Sequence, residues 1–229
     1  MLATLDNMLG VGIYTPSEAA FYARLTTATL ARWVHGDRTA EPVIRPQKPG
    51  DPDRIVTFLD FVQALAIRAI RSEKKVPLQK IRDAIETARD TYGVEHPFAM
   101  PHMTYLLGKD ILIEIPDRDD LVQISGRHRK QLVIRQVAEL YMESLSFGHD
   151  RLAASYEAFA YKDLKVVMDP QRKLGKPFLP KCGYTADALV NAYRAEGSPK
   201  DAADALGIDV ADVNLAIRYF DFLRGSLAA

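Results

Sequence analysis

The chain has 229 residues, of which 48% are hydrophobic and 26% are charged, a composition typical of soluble globular proteins. Thirty basic residues balance thirty acidic ones, so the formal net charge is zero. This balance excludes a polybasic, histone-like binder of nucleic acid, but not a domain that gathers its basic residues on one face. The single cysteine, Cys182, cannot form an internal disulfide and fits a reducing compartment.

The sequence predicts neither a secretory signal nor a membrane span. The stretch from Met1 to Thr15 has no basic n-region and no long apolar run. The apolar segment Phe58–Ile70 is interrupted by Asp60, Gln63 and Arg68, whereas a bilayer span needs about 20 mostly apolar residues. We therefore expect a cytoplasmic protein that does not bind a membrane.

Two short helices are predicted near the start of the chain. Thr15 is a suitable N-cap, Pro16 suits the first helical position, and Glu18 completes a capping box. Thr26 is a suitable N-cap for the second helix. The apolar positions of that helix are spaced to face a core: Leu30, Trp33 and Val34.

The outward side of the second helix suits the recognition of DNA. Short side chains at the N-terminal end of a helix reach base edges in the major groove, and a guanidinium binds a base or a phosphate. Basic residues nearby in sequence are expected to contact backbone phosphates. The predicted DNA-binding residues are Arg24, Thr27, Ala28, Thr29, Arg32, His35, Arg38, Arg45 and Arg54.

A segment dense in proline and glycine, residues 41–53, follows the second helix. It lies between two short β-prone pieces, Val43-Ile44 and Ile55–Thr57, and is interpreted as a hairpin-like wing. The alternative is a surface loop between helices. Thr57 then caps a third predicted helix that runs to about Arg71, and Pro77 begins a fourth that ends at Tyr92-Gly93.

The order of these features resembles a known family. Tyr14–Ala20, Leu25–Leu30 and Trp33, followed by a wing and two helices, resemble the MerR-like winged helix-turn-helix over roughly residues 10 to 93. In that family the stretch corresponding to Thr26–Trp33 enters the major groove. The resemblance implies the same role for this stretch here.

The middle of the chain is predicted to be a connector with its own structure. Residues 106–115 are typical of a β-hairpin with a tight turn at Gly108–Asp110, and Leu121–Ile124 is a candidate further strand. A helix is expected over Gln131–Leu145. The basic run Arg127–Lys130 precedes it, and positive charge there opposes the helix dipole. A phosphate contact would explain this run, and a solvated charged face is the alternative.

A second helical module is predicted at the C-terminal end, after a short strand at Val166–Pro170. Its three helices begin near Thr185, at Ser198 and at Asp209, with helix-turn-helix geometry. From Glu196 onward six acids stand against three bases, and Asp209 and Asp212 are placed where a recognition helix would face phosphate. Because that arrangement repels DNA, this module is expected to bind a protein or to dimerise.

This C-terminal pattern also resembles a known family. Val166–Pro170, Gly175–Pro177, Thr185, Gly197-Ser198 and Ala202–Ile208 resemble the C-terminal domain of a family of VapB-type antitoxins from bacterial type II toxin–antitoxin pairs. Together with the first unit, the resemblance implies a DNA-binding antitoxin that neutralises a PIN-like ribonuclease and represses its own operon.

Charge complementarity to an acidic, metal-dependent nuclease site suggests which side chains contact the toxin. The candidates lie in two basic stretches: Arg127, Arg129, Lys130, Arg172, Lys173 and Lys176. A homodimer is expected because paired DNA half-sites demand two-fold symmetry. The alternative function is an effector-responsive MerR-like regulator whose central β-rich segment forms a ligand pocket.

Catalysis is not expected. The chain lacks phosphate-binding glycine motifs, an HExxH motif and a CxxC pair, and its five histidines are scattered. A cluster of three carboxylates could bind a divalent cation: Asp117, Asp119 and Asp120. Its sequence context favours the alternative, a polar turn. We therefore predict no enzyme, no metal site and no cofactor.

The predicted fold class is mainly α with short β elements, that is, α+β. The predicted domains are a winged helix-turn-helix over residues 1–100, a β-hairpin and helix connector over 101–160, and a C-terminal antitoxin-family helical domain over 161–229.

Overall fold

The computed structural model describes residues 12–38, 41–45, 55–100, 104–107, 110–114, 121–123 and 139–225. These residues form a mixture of helices and small sheets, consistent with the predicted α+β class. The chain forms two compact units, one over Gly10–Ala154 and the other containing Ser155–Ala229. The three predicted domain boundaries stay predictions.

The first unit begins with a two-stranded sheet and four helices. In chain order these elements are β1 (Gly12–Tyr14), α1 (Pro16–Tyr22), α2 (Thr27–His35), β2 (Val56–Thr57), α3 (Phe58–Lys74) and α4 (Leu78–Tyr92). β1 and β2 pair antiparallel.

The predicted caps are confirmed by hydrogen bonds at the helix starts. The Glu18 amide donates to the Thr15 hydroxyl at 3.2 Å, and the Thr15 amide donates to the Glu18 carboxylate at 2.9 Å. Thr26 caps α2 by accepting the Thr29 amide at 3.2 Å. Each cap satisfies amides that the first helical turn leaves unpaired, so the polar sequence signals fix where the helices begin.

Trp33 anchors α2 to the core of the first unit. Leu30, Trp33 and Val34 are all buried, as their spacing predicts, and only 5% of Trp33 is exposed. The Trp33 carbonyl accepts the amides of both Val43 and Ile44, each at 2.8 Å. The side chain of Trp33 therefore packs α2 against the core, and its backbone carbonyl binds the segment that follows the helix.

The expected pairing within the wing is wrong. Val43 and Ile44 form no strand, because their amides are used by the Trp33 carbonyl and their side chains are buried. The second β-prone piece pairs instead with β1, with Tyr14 opposite Val56. Residues 46–54 lie outside the described residues, so the wing itself stays a prediction.

The middle of the chain contains the predicted hairpin and further strand. β3 (Thr104–Leu107), β4 (Asp110–Glu114) and β5 (Leu121–Gln123) form an antiparallel sheet in that order, which confirms both expectations. The acidic turn at 117–120 lies outside the described residues.

The helix expected over Gln131–Leu145 is wrong at its C-terminal end. The described part is a short helix, α5 (Glu139–Met142), followed by strand β6 (Leu145–Phe147). The chain turns where the Ser144 amide donates to the Tyr141 carbonyl at 3.3 Å, and Leu145 is buried in the strand. Residues 124–138, including the basic run, lie outside the described residues.

The second unit contains a β-hairpin and three helices. β7 (Ala153–Tyr161), in which the chain passes from the first unit, pairs antiparallel with β8 (Leu164–Met168). A 3₁₀ turn at Lys173–Gly175 follows, and then α6 (Ala186–Glu196), α7 (Pro199–Leu206) and α8 (Val210–Gly225). The strand at Val166 and the three helix starts agree with the sequence pattern, whereas β7 was not predicted.

The helices of the second unit begin at the predicted residues, and α6 and α7 end at the predicted glycines. Ser198 accepts the Asp201 amide at 3.1 Å, and Asp209 accepts the Ala211 amide at 2.9 Å. Gly197 and Gly207 end α6 and α7 with φ of 82° and 65°, a left-handed conformation that favours glycine. These two turns set the angles at which α6 and α7 meet their successors.

We expect Asp60→Asn to flatten the pH dependence of stability. Asp60 is fully buried at the start of α3, and burial raises the pKa of its carboxyl from 3.8 to about 6 despite the hydrogen bonds from Thr57. A raised pKa means that folding binds a proton, so the contribution of this group is lost as pH rises from about 4 to 6. The shift corresponds to about 3 kcal/mol.

Urea unfolding at several pH values measures this effect. The stability of Asp60→Asn relative to the wild type should be about 1–3 kcal/mol greater at pH 8 than at pH 4. Asp90→Asn is the control, because Arg89 lowers the pKa of the exposed Asp90 below its usual 3.8, so the contribution of that carboxyl should stay nearly constant from pH 4 to pH 8. A stability difference that stays constant from pH 4 to pH 8 would show that Asp60 does not titrate in this way.

Candidate functional site

The solvent face of α2 carries the central residues of the predicted DNA-binding set. Thr27 and Ala28 are exposed at the N-terminal end of the helix, and Arg32 is exposed one turn further on. The Arg32 side chain is 62% exposed, and its Nε lies 3.0 Å from the Asp37 carboxylate. Because an exposed ion pair contributes at most about 1 kcal/mol, a phosphate or base can replace Asp37 as the partner of Arg32.

The remaining members of that set differ in accessibility. Arg38 and Arg45 are exposed, whereas Arg24 and His35 are half-buried. Thr29 is also half-buried, and its hydroxyl lies 2.8 Å from that of Thr26. Arg54 lies outside the described residues.

Two arginines missed by the sequence analysis hold the segments that flank α2. The Arg68 guanidinium donates to the Ala23 carbonyl at 2.9 Å, in the turn between α1 and α2. The Arg82 guanidinium donates to the Glu41 carbonyl at 3.0 Å. Both hydrogen bonds join residues more than 40 positions apart, so no local sequence pattern predicts them.

The described basic candidates for toxin binding lie around the 3₁₀ turn of the second unit. Arg172 and Lys173 are exposed, and the Arg172 guanidinium lies 4.4 Å from the centroid of the Phe178 ring. Lys176 lies 3.7 Å from the Asp187 carboxylate. Arg127, Arg129 and Lys130 lie outside the described residues.

The acidic residues at the start of α8 do not both face solvent, which corrects the sequence argument. Asp212 is 1% exposed, and the Lys181 Nζ lies 3.6 Å from its carboxylate and 3.2 Å from that of Asp209. The hydrogen bond to Asp209 raises the pKa of Lys181, and the Ala211 amide and then Lys181 lower the pKa of Asp209. The charge of Lys181 therefore offsets one of the two negative charges that were expected to repel phosphate.

The environment of Cys182 and the distribution of metal-ligating side chains bear on the candidates for catalysis and metal binding. Burial raises the pKa of the Cys182 thiol, which keeps it protonated and weakly nucleophilic at neutral pH. No group of three or more metal-ligating side chains occurs in the described ranges. Within those same ranges, no helix has the length and apolar character needed to cross a membrane.

We expect Lys181→Met to destabilise the second unit. The substitution removes the cation beside the buried Asp212, and an unsatisfied buried group costs about 1–3 kcal/mol. Thermal and urea unfolding measure the loss.

Lys165→Met is the matched control, since Lys165 pairs with Glu157 at 3.6 Å where both side chains are exposed. Its effect should stay below about 1 kcal/mol. Adding Asp212→Asn to Lys181→Met should recover part of the loss. Equal effects of the two lysine substitutions would contradict the role of Lys181.

Comparisons with known proteins relate most of the chain to a mycobacterial protein. No family model matches the chain. "Putative antitoxin VapB45" of Mycobacterium tuberculosis is 28% identical over 225 residues, which cover 89% of this chain and 92% of that protein. "Uncharacterized protein Rv2308" of the same organism is 27% identical over 100 residues, 42% of this chain and 41% of that protein.

One solved structure shares the fold. The crystal structure of Rv2018 from Mycobacterium tuberculosis superposes with a TM-score of 0.58 at 23% identity, covering 90% of this chain and 98% of that one. The likeness therefore extends over nearly the whole of both chains. It supports the fold, and the sequence similarity to VapB45 supports a relationship to VapB-type antitoxins.

Proposed function

We propose that the protein is the antitoxin of a type II toxin–antitoxin pair, which binds its operator through α2 and neutralises a PIN-like ribonuclease through its second unit. The observation that carries this proposal is the similarity to "Putative antitoxin VapB45", which spans 89% of the chain and therefore both units.

The geometry of α2 supports its role as the recognition helix of a MerR-like helix-turn-helix. Burial of Trp33 turns the opposite side of the helix, with Thr27, Ala28 and Arg32, toward solvent. Small side chains let a helix approach base edges closely, and arginine supplies the cation that phosphate and guanine bind. Arg38 and Arg45 are exposed and are proposed to contact the flanking backbone.

Several large apolar side chains support a protein-binding role for the second unit. Leu174, Val210, Tyr161 and Phe222 are exposed there. Aromatic residues are enriched at protein–protein interfaces, so the exposed Tyr161 and Phe222 favour a protein partner. We propose a homodimer, since two-fold symmetry matches paired half-sites.

We expect Arg32→Ala to weaken operator binding. Loss of one arginine contact to a base or phosphate costs about 1–3 kcal/mol, which is roughly 5- to 150-fold in affinity. Fluorescence anisotropy with the DNA upstream of the protein's own gene measures the change. Arg194→Ala, an exposed substitution on α6, should bind as the wild type does. Equal affinities of wild type and Arg32→Ala at moderate salt would exclude α2 as the reading helix.

A second experiment tests neutralisation directly. Co-expression with the product of the neighbouring gene should relieve its toxicity, and the two proteins should copurify. Purified protein should then inhibit the ribonuclease activity of that product. The antitoxin proposal fails if the neighbouring genes encode no nuclease, or if co-expression leaves growth inhibition unchanged.

A further inference from the structure

The second unit contains a groove to which the proposed function assigns no role. It lies between the turn that joins β7 to β8 and the outer side of α8, with a volume of about 690 Å³. Leu164, Ala211 and Leu215 contribute apolar surface, and Lys162, Asn214 and Arg218 contribute polar groups. We call it the α8 groove. Its volume lies within the range of sites that bind ligands or peptide segments.

An aromatic ring fixes two cations on one side of the α8 groove. The Arg218 guanidinium lies 4.5 Å from the centroid of the Tyr161 ring, and the Lys162 Nζ lies 5.8 Å from the same centroid. The ring attracts both cations without neutralising them. Among the described residues, neither cation lies within 4.0 Å of a carboxylate.

The remaining charges of the groove leave it positive. Lys181 and Asp163 also line it, and with Lys181 paired to Asp209 and Asp212, two further cations face one acid. Lys181 shares its charge with Asp209 and Asp212, whereas Lys162 and Arg218 are available to a partner. A positive groove with preorganised cations attracts an acidic occupant.

The shape of the α8 groove favours a polypeptide segment over duplex DNA. The apolar lining residues Leu164, Ala211 and Leu215 are half-buried or buried, whereas Lys162 and Arg218 are exposed. An apolar side chain can therefore enter the groove while a carboxylate binds the exposed cations. A duplex is a wide cylinder whose phosphates bind side chains that project from a surface, and it carries no apolar group to fill such a depression. The exposed Phe222, one turn beyond Arg218 on α8, extends the apolar surface that a protein partner would cover.

We propose that the α8 groove receives an acidic segment of the partner toxin, with a carboxylate held between Lys162 and Arg218 and an apolar side chain on Leu164, Ala211 and Leu215. This inference rests on the proposed function and adds its direction: the toxin supplies the inserted segment, and this protein supplies the groove.

Charge reversal tests the proposal in the full-length protein. Lys162→Glu combined with Arg218→Glu should weaken binding of the neighbouring gene product at least tenfold by calorimetry, and should reduce the salt dependence of binding. Operator affinity should remain that of the wild type. Lys200→Glu combined with Arg194→Glu, an equal charge change at exposed positions outside the groove, should alter toxin affinity less than twofold.

The outcomes separate this proposal from the antitoxin role. If wild type and groove variant bind the toxin equally, the groove proposal is wrong and the antitoxin role stands. If the variant loses operator binding and keeps toxin binding, the groove binds nucleic acid. If the wild type binds no neighbouring product, both proposals fall. If charge reversal unfolds the protein, the double variant Lys162→Gln with Arg218→Gln replaces it. We expect this variant to lose about threefold or more in toxin affinity, and its outcomes are interpreted in the same way.

Discussion

The packing of Trp33 is the constraint on which the N-terminal unit depends. Its indole is buried, and its carbonyl holds the amides of Val43 and Ile44 at 2.8 Å. Because the apolar residues of α2 occupy one side, burial of that side determines what the other side presents. The exposed Thr27, Ala28 and Arg32 follow from this orientation, so a hydrophobic contact sets the chemistry of the proposed DNA-binding surface.

In the C-terminal unit, the positions of the charged side chains determine which partner the surface can bind. From Glu196 onward the chain has six acids against three bases, yet Lys181, in a loop before α6, pairs with both Asp209 and Asp212. The same lysine lines the α8 groove, which Lys162 and Arg218 also line. The C-terminal unit therefore has a local positive groove that its net charge does not reveal, and such a groove suits an acidic protein partner.

Local signals in the sequence predicted much of the fold, and nonlocal contacts account for what they missed. Caps such as Thr15 and Ser198 act within one helical turn, so their residues specify helix starts directly. The pairing of β2 with β1 joins positions over 40 residues apart, and β7 lacks the β-branched residues that announce strands. On the candidate surfaces, the exposure of Arg32 was predictable from spacing. The pairing of Asp212 with Lys181 was not, because the two residues lie about 30 positions apart in the chain.

Quenching of tryptophan fluorescence tests the orientation of α2 most directly, since Trp33 is the single tryptophan of the chain. The account predicts blue-shifted emission that iodide does not quench in the folded protein, and full quenching after unfolding in urea. Red-shifted emission that iodide quenches under native conditions would contradict it, because an exposed indole would turn Thr27 and Arg32 toward the core.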